Sequence, residues 1–194
     1  MDVIRKTAGI SPQKKQVNEK DLVHRAKAGD PEAFTALYDA YLSHVYRYVF
    51  FRVADDQTAE DITSQVFLRA WEHLKRYRQD GSFLAWLYTI ARNAVIDHYR
   101  TRKEVVPLND ALPLPVEGPT LQERVELKVE TEHVRRAMLR LTSDQKEVLS
   151  LKFMAGFSTE EIARHLGKRE GAVRALQMRA LRALAKELKL EVGK

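Results

Sequence analysis

No cysteine occurs among the 194 residues, so neither a disulfide framework nor a thiolate metal site is available. A reducing compartment suits such a chain. No apolar run approaches the ~18–20 residues that a membrane span requires, so membrane insertion is not expected. The segment Met1 to Glu19 is polar and lacks the apolar core of a secretion signal, which argues against export and for the cytoplasm. Histidine is sparse as well. The six histidines are scattered and none forms a His-x-x-x-His pair, which leaves them as solvated or capping residues and predicts no metal and no cofactor. Gly-x-Ser-x-Gly, Gly-x-Gly-x-x-Gly and the P-loop pattern do not occur. The paired acids Asp55-Asp56, Glu60-Asp61 and Glu160-Glu161 fall at predicted helix starts, where the helix dipole favours negative charge. Together these gaps argue against an enzyme. Alternating strand patterns bounded by turn dipeptides are missing too, and the predicted fold class is all-α.

Hydrophobic residues make up 44% of the chain and charged residues 31%, a balance that suits small helical modules with apolar seams and wet outer faces. The net charge of +6 is unevenly distributed. From His133 onward fourteen Lys/Arg face seven Asp/Glu, whereas Lys103 to Glu132 holds three basic and seven acidic residues. A basic C-terminal module behind an acidic segment points to a polyanionic partner at that end, against the plainer reading of a solvated basic surface.

Residues 1–20 read as a polar extension. A short helix from Asp21 stops at Gly29, and Asp30-Pro31 then supplies an N-cap and a proline at the first helical position. Phe34, Leu37, Tyr38, Tyr41, Leu42, Val45, Tyr46 and Val49 recur at helical steps. Asp55 and Asp56 begin a further helix through Trp71. The stretch Lys75 to Gly81 is a basic, aromatic-bearing loop, and Ser82 caps a helix that ends in the basic run Arg100 to Lys103. Residues 21–103 thus form one helical domain. Pro107, Pro113, Pro115 and Pro119 make residues 104–130 an acidic linker that no helix would tolerate in its proline-dense part. Helical character resumes near Leu121 and runs to Leu141. Residues 131–194 form the second domain. Within it Thr142–Gln145 and Ser158–Glu161 match the capping box and start helices at Ser143–Met154 and Thr159–Leu166. The last helix runs from about Glu170 into the Lys186–Leu190 tail.

The most informative segment is Gly156 to Leu181. A helix capped by Ser158 turns Ile162 and Leu166 inward, Ala163 allows a close helix crossing, and Gly167 can supply the positive φ of a tight turn. The next helix buries Val173, Leu176, Ala180 and Leu184 and leaves Arg169, Glu170, Arg174, Gln177, Met178 and Arg179 outward. This is a helix-turn-helix with an arginine-rich second helix, the form that enters a major groove. Arginine reads guanine edges with paired hydrogen bonds, Gln does the same for adenine, and other arginines neutralise phosphate. Ser158 and Thr159, at the start of the first helix, join these as candidate contacts. An ordinary helical hairpin would not require capping box, small residue, turn glycine and seam at these offsets together.

Ala59-Glu-Asp-Ile-Thr-Ser-Gln-Val-Phe-Leu-Arg-Ala-Trp71 followed by Phe83-Leu-Ala-Trp-Leu-Tyr-Thr-Ile-Ala-Arg-Asn-Ala-Val-Ile-Asp97 adds a second constellation. With these residues the chain resembles the extracytoplasmic-function (ECF, group IV) sigma factors of bacteria. The resemblance covers about Asp30 to Leu188, the first block resembling region 2 and Leu141 to Leu188 resembling region 4. It implies that the helix from Asp61 to Trp71 docks on the β′ clamp helices of RNA polymerase through Asp61, Gln65, Arg69 and Glu72, and that the β flap is a further partner. It implies that the Lys75–Gly81 loop and the helix from Ser82 open the −10 element and hold its non-template strand. Tyr77, Phe83, Tyr88, Thr89, Arg92, Asn93 and Asp97 offer the aromatic, polar and cationic groups such a site needs, with Arg100, Arg102 and Lys103 on upstream phosphates. Asn93 lies where the family usually keeps a DNA-contacting asparagine. Trp86 is as readily a core residue as a base wedge. The −35 element falls to the helix-turn-helix. There the chain departs from the family, many members of which place leucine at Gln177 and a polar residue at Leu176, so the buried seam is rotated by one position. The linker would thread the polymerase interior, and an anti-sigma protein wedged between the domains would hold the chain inactive. Two other readings stay open. One is a stand-alone helix-turn-helix regulator with a sensor domain. The other is a helical adaptor that binds only protein.

Overall fold

Apolar residues at three- and four-residue steps reach a common core only when helices pack seam to seam, and both parts of the chain do this. The computed structural model describes residues 19–78, 81–102 and 131–192. Residues 1–18 of the expected extension, the linker over 104–130 and Lys103 lie outside the described residues, whereas Glu19 and Lys20, placed in the extension from sequence, begin the first helix. Among the described residues all regular structure is helical. Residues 19–49 and 57–102 form one compact unit, and residues 50–56 with 131–192 form another.

The first unit holds α1 (Glu19–Lys27), α2 (Pro31–Phe50, up to residue 49), α3 (Asp56–His73, from residue 57) and α4 (Phe83–Arg102), with a short 3₁₀ turn over Leu74–Arg76. The chain leaves α1 through Gly29, whose φ of 96° lies in the left-handed region. Asp30 then caps α2, accepting from the backbone N–H groups of Glu32 at 3.0 Å and Ala33 at 3.2 Å. Ser82 Oγ accepts from the Ala85 N–H at 3.1 Å and starts α4. The core is built from Leu37, Val45, Tyr48 and Val49 of α2, Ile62, Val66 and Phe67 of α3, and Phe83, Leu87, Tyr88 and Ala91 of α4.

The second unit contains α5 (131–139), α6 (Ser143–Leu149), α7 (Thr159–Leu166) and α8 (Glu170–Val192). Both predicted capping boxes form, Thr142 with Gln145 and Ser158 with Glu161. The helix predicted over Ser143–Met154 keeps α geometry only to Leu149. It then widens into a π-helical turn over Ser150–Met154, closed by the Ala155 N–H on the Ser150 carbonyl at 3.0 Å. The wider turn carries one more residue per turn and returns Phe157 to the core.

Two arginines of this unit are buried, which their charge does not foretell. Arg52 pairs with Glu147 at 2.6 Å, both side chains 3% exposed. His165 Nε2 lies 3.8 Å from the other Glu147 oxygen. Arg135 donates to the Val53 carbonyl at 3.0 Å, bonds Asp56, and lies over the Phe50 ring at 4.0 Å. Buried charge is tolerated here because each guanidinium meets carboxylate, carbonyl or ring.

Two glycines separate backbone from packing effects. Gly167 ends α7 at φ 62°, whereas Gly171 lies within α8, and a Cβ at either would meet nothing within 4 Å. Gly167→Ala should therefore lower stability by about 1–2 kcal/mol through left-handed strain alone. Gly171→Ala should raise it by about 0.4–1 kcal/mol. Denaturant unfolding followed by circular dichroism distinguishes the two signs. Hydrogen bonds from Ser158, the backbone N–H first, lower the Glu161 pKa below its usual value. A lowered carboxylate pKa stabilises the fold above the ordinary carboxylate value, and that contribution is lost as pH falls from there through the lowered pKa of the folded state. The deficit of Glu161→Ala relative to the parent should be present at neutral pH and shrink in acid, as read from thermal midpoints.

Candidate nucleic-acid interface

On α4 the residues Thr89, Asn93, Ile96 and Arg100 fall at steps of three and four and are all exposed, a single stripe along the helix. Arg92 and Asp97 are half-buried beside it. Arg102 ends the helix. Ile96 and Tyr99, 41% and 38% exposed, give this surface an apolar component that sequence reasoning missed. The available signal was positional, since neither residue lies on the seam of Leu87, Ala91, Ala94 and Val95.

Three residues expected to hold an unpaired strand are core residues instead. Tyr77, Phe83 and Tyr88 are 5%, 0% and 0% exposed. Phe83 is the first residue of α4, and its ring meets Tyr41 at 5.7 Å, Tyr77 at 5.6 Å and Trp86 at 5.4 Å. Tyr88 packs on Tyr48 at 5.0 Å. Large aromatic area is favourable inside a small helical bundle, and that burial outweighs the surface role their types suggested. The half-buried Trp86 completes the same cluster, at 4.9 Å from Tyr77. The loop's cations Lys75, Arg76 and Arg78 remain exposed above it.

On α3, Asp61, Gln65, Leu68 and Glu72 make a second exposed stripe, with Leu68 at 59% exposure. Phe67 takes the seam and packs on Tyr38 at 4.7 Å, which turns Leu68 outward. Trp71 is 40% exposed and lies edge-on to Phe34 at 4.8 Å. Arg69 is half-buried and pairs with Asp97 at 3.3 Å. Arg69 and Asp97, assigned to different surfaces from sequence, are therefore one ion pair joining α3 to α4. Both side chains are only half-buried, so the pair contributes little to stability and mainly orients the two side chains.

In the helix-turn-helix of α7 and α8, Arg169, Glu170, Arg174, Met178 and Arg179 are exposed as expected. Glu170 accepts from Arg174 at 2.7 Å one turn on. Ser158 Oγ is engaged by the Glu161 N–H at 3.1 Å, and Thr159 is half-buried. Gln177 does not point outward as predicted. Leu176 is buried in the seam, and Gln177 beside it is half-buried with its amide nitrogen shielded from solvent. The one-position rotation of the seam draws Gln177 toward the α8 core side. Gly171, Ala172 and Ala175, which sequence reasoning left aside, are exposed between the arginines and Met178. Their small side chains keep this face of α8 low, as close approach to a groove floor requires.

Sigma-70 region 2 matches residues 37–105 and sigma-70 region 4 matches residues 131–184. The ECF RNA polymerase sigma factor SigX of Bacillus subtilis is 32% identical over 166 residues, covering 82% of this chain and 85% of SigX. The chain belongs to the ECF RNA polymerase sigma factors. BldN of Streptomyces coelicolor, another ECF sigma factor, is 40% identical over 177 residues, 87% of this chain, and the alignment spans 65% of the length of BldN. In fold the chain is similar to the sigma factor RpoE of Bartonella quintana, solved with the anti-sigma factor NepR, at a TM-score of 0.65 and 24% identity over 80% of this chain and 96% of that one. In this ECF sigma factor, region 2 supplies the stripes on α3 and α4, and region 4 supplies the helix-turn-helix. No group of histidine and acidic residues able to hold a metal occurs among the described residues.

The burial of Phe83 has a direct consequence. Phe83→Ala should cost about 3–5 kcal/mol without any DNA present, through lost transfer energy and the cavity left behind. Asn93→Ala, on the exposed stripe, should change stability by less than about 0.5 kcal/mol. Urea unfolding of the two variants separates core from surface.

Proposed function

We propose that this group IV sigma factor directs core RNA polymerase to promoters by dividing recognition among three faces. The α3 stripe of Asp61, Gln65, Leu68 and Glu72 docks on the β′ clamp helices, with Leu68 as its apolar centre and Arg69 held at its edge. The cationic loop and the α4 stripe of Thr89, Asn93 and Arg100 take the −10 non-template strand, with Arg92 and Asp97 flanking. The α8 face of Arg169, Arg174, Met178 and Arg179 reads the −35 duplex, Arg174 oriented by Glu170. Region 4 also meets the β flap. Nucleotide polymerisation belongs to the core enzyme, and the setting is the cytoplasm.

The single observation that carries this reading is the occurrence of regions 2 and 4 in order in one chain. Control by an anti-sigma protein follows from family membership. A partner covering the α3 stripe and the helix-turn-helix would remove both polymerase and promoter contacts.

Run-off transcription by bacterial core polymerase on a promoter library tests the whole reading. Initiation at a shared −35/−10 pair is expected only when the chain is present. Asn93→Ala should weaken selection at the −10 element and Arg174→Ala at the −35 element, each by about 1–3 kcal/mol of base discrimination. Unchanged transcription alongside tight duplex binding by the chain alone would instead point to a stand-alone regulator.

A further inference from the structure

We propose that Glu19 and Lys27, at the two ends of α1, are positioning residues for −10 recognition, together forming a strap that fixes the recognition loop without touching DNA. This rests on the assignment of that loop and α4 to the −10 element. Both residues precede the matched region 2, which begins at residue 37.

The Glu19 carboxylate joins two other helices. One oxygen accepts from the Tyr41 hydroxyl of α2, and the other accepts from the Phe83 backbone N–H at 3.2 Å. Phe83 is the first residue of α4, so this N–H has no acceptor within its own helix. Ser82 Oγ serves the Ala85 N–H at 3.1 Å, and Glu19 serves Phe83. The carboxylate also brings negative charge to the positive end of the α4 dipole. Burial first, and then Glu19, push the Tyr41 hydroxyl above its ordinary pKa, so it stays a donor to the carboxylate at all physiological pH.

At the far end of α1, Lys27 Nζ donates to the Tyr77 carbonyl at 2.8 Å, where the chain leaves the 3₁₀ turn. The Tyr77 hydroxyl in turn donates to the Gly81 carbonyl at 2.7 Å. The described residues on either side of 79 and 80 are therefore held by Lys27 at Tyr77, by Tyr77 at Gly81 and by Glu19 at Phe83. Its cations Lys75, Arg76 and Arg78 lie outside these ties, exposed. Lys27 spends its charge on a backbone carbonyl, which makes it a tether where composition alone would count it among the DNA-binding cations.

The strap predicts a defect in selectivity that general loss of fold would not produce. The test uses the full chain with bacterial core polymerase, a promoter recovered from the run-off library, and derivatives scrambled at −10 or at −35. Glu19→Ala should reduce the preference for the intact over the −10-scrambled promoter by about tenfold, the scale expected when a buried donor loses its acceptor. Preference over the −35-scrambled promoter should be unchanged. Glu19→Gln, which keeps a carbonyl acceptor, should recover most of the −10 preference. Trp86, stacked on Tyr77, should shift its emission in Glu19→Ala and Lys27→Met without DNA. Should Glu19→Ala fail to fold, Lys27→Met and Tyr41→Phe each remove one tie and are held to the same expectation. Equal loss on all promoters would overturn the proposal in favour of simple destabilisation, as would unchanged −10 preference in every variant. Arg78→Ala and Asn93→Ala show which premise failed. If they impair −10 preference and the strap variants do not, the strap is wrong and the site stands. If they too are silent, the −10 assignment is wrong and the strap falls with it.

Discussion

The first unit depends on burying Phe83 at the first turn of α4. A helix start is a polar place, with backbone N–H groups that lack partners inside the helix, and an aromatic ring there draws those groups toward the core. The fold meets both demands at once. Tyr41, Tyr77 and Trp86 surround the ring, while Ser82 and Glu19 receive the N–H groups. Tyr77 and Gly81, on either side of residues 79 and 80, are held by the same contacts, because Tyr77 belongs to the aromatic cluster and donates to the Gly81 carbonyl. The exposed cations Lys75, Arg76 and Arg78 thus lie next in sequence to a packed aromatic cluster.

The helix-turn-helix rests on a different constraint. α7 has only eight residues, too few to be stable by propensity, and it is defined by its ends. Ser158 and Glu161 satisfy the first turn reciprocally, and Gly167 closes the last one in the left-handed region. With α7 so fixed, the angle at which α8 leaves the turn follows from Ala163 and the seam of Val173, Leu176, Ala180 and Leu184. Which α8 residues can face DNA is then a matter of helical phase. Leucine at 176 in place of 177 turns Gln177 partly inward and leaves Arg174 and Met178 outermost, with small residues between.

Charge contributes in two distinct ways. Solvent-accessible pairs such as Glu170–Arg174 and Arg69–Asp97 orient side chains on α8, α3 and α4 and contribute little to stability. Arg52 with Glu147, and Arg135 with Asp56 and the Phe50 ring, are buried and hold residues 50–56 within the second unit. The net positive charge of the chain therefore overstates the number of cations available to a polyanion. Lys27, Arg52 and Arg135 are committed to internal contacts.

Much of this was legible in the sequence because it is local. Helix starts at Pro31, Ser143 and Thr159, the cap at Ser82, the turn at Gly167 and the seam of α8 each follow from side-chain chemistry within four or five residues along the chain. The all-α class and the order of region 2 and region 4 follow from the same short-range patterns. Tertiary structure alone decided which of two neighbouring residues faces in. Phe67 lies inside and Leu68 outside, Gln177 is drawn half inward beside Leu176, and the aromatic residues around α4 form core rather than surface. Those choices depend on partners distant in sequence, as do the ties from Glu19 to Phe83 and from Lys27 to Tyr77, which span 64 and 50 residues. Periodicity marks a helical face to within about one residue, or ~100° of rotation, and only packing against the neighbouring helices resolves the remainder.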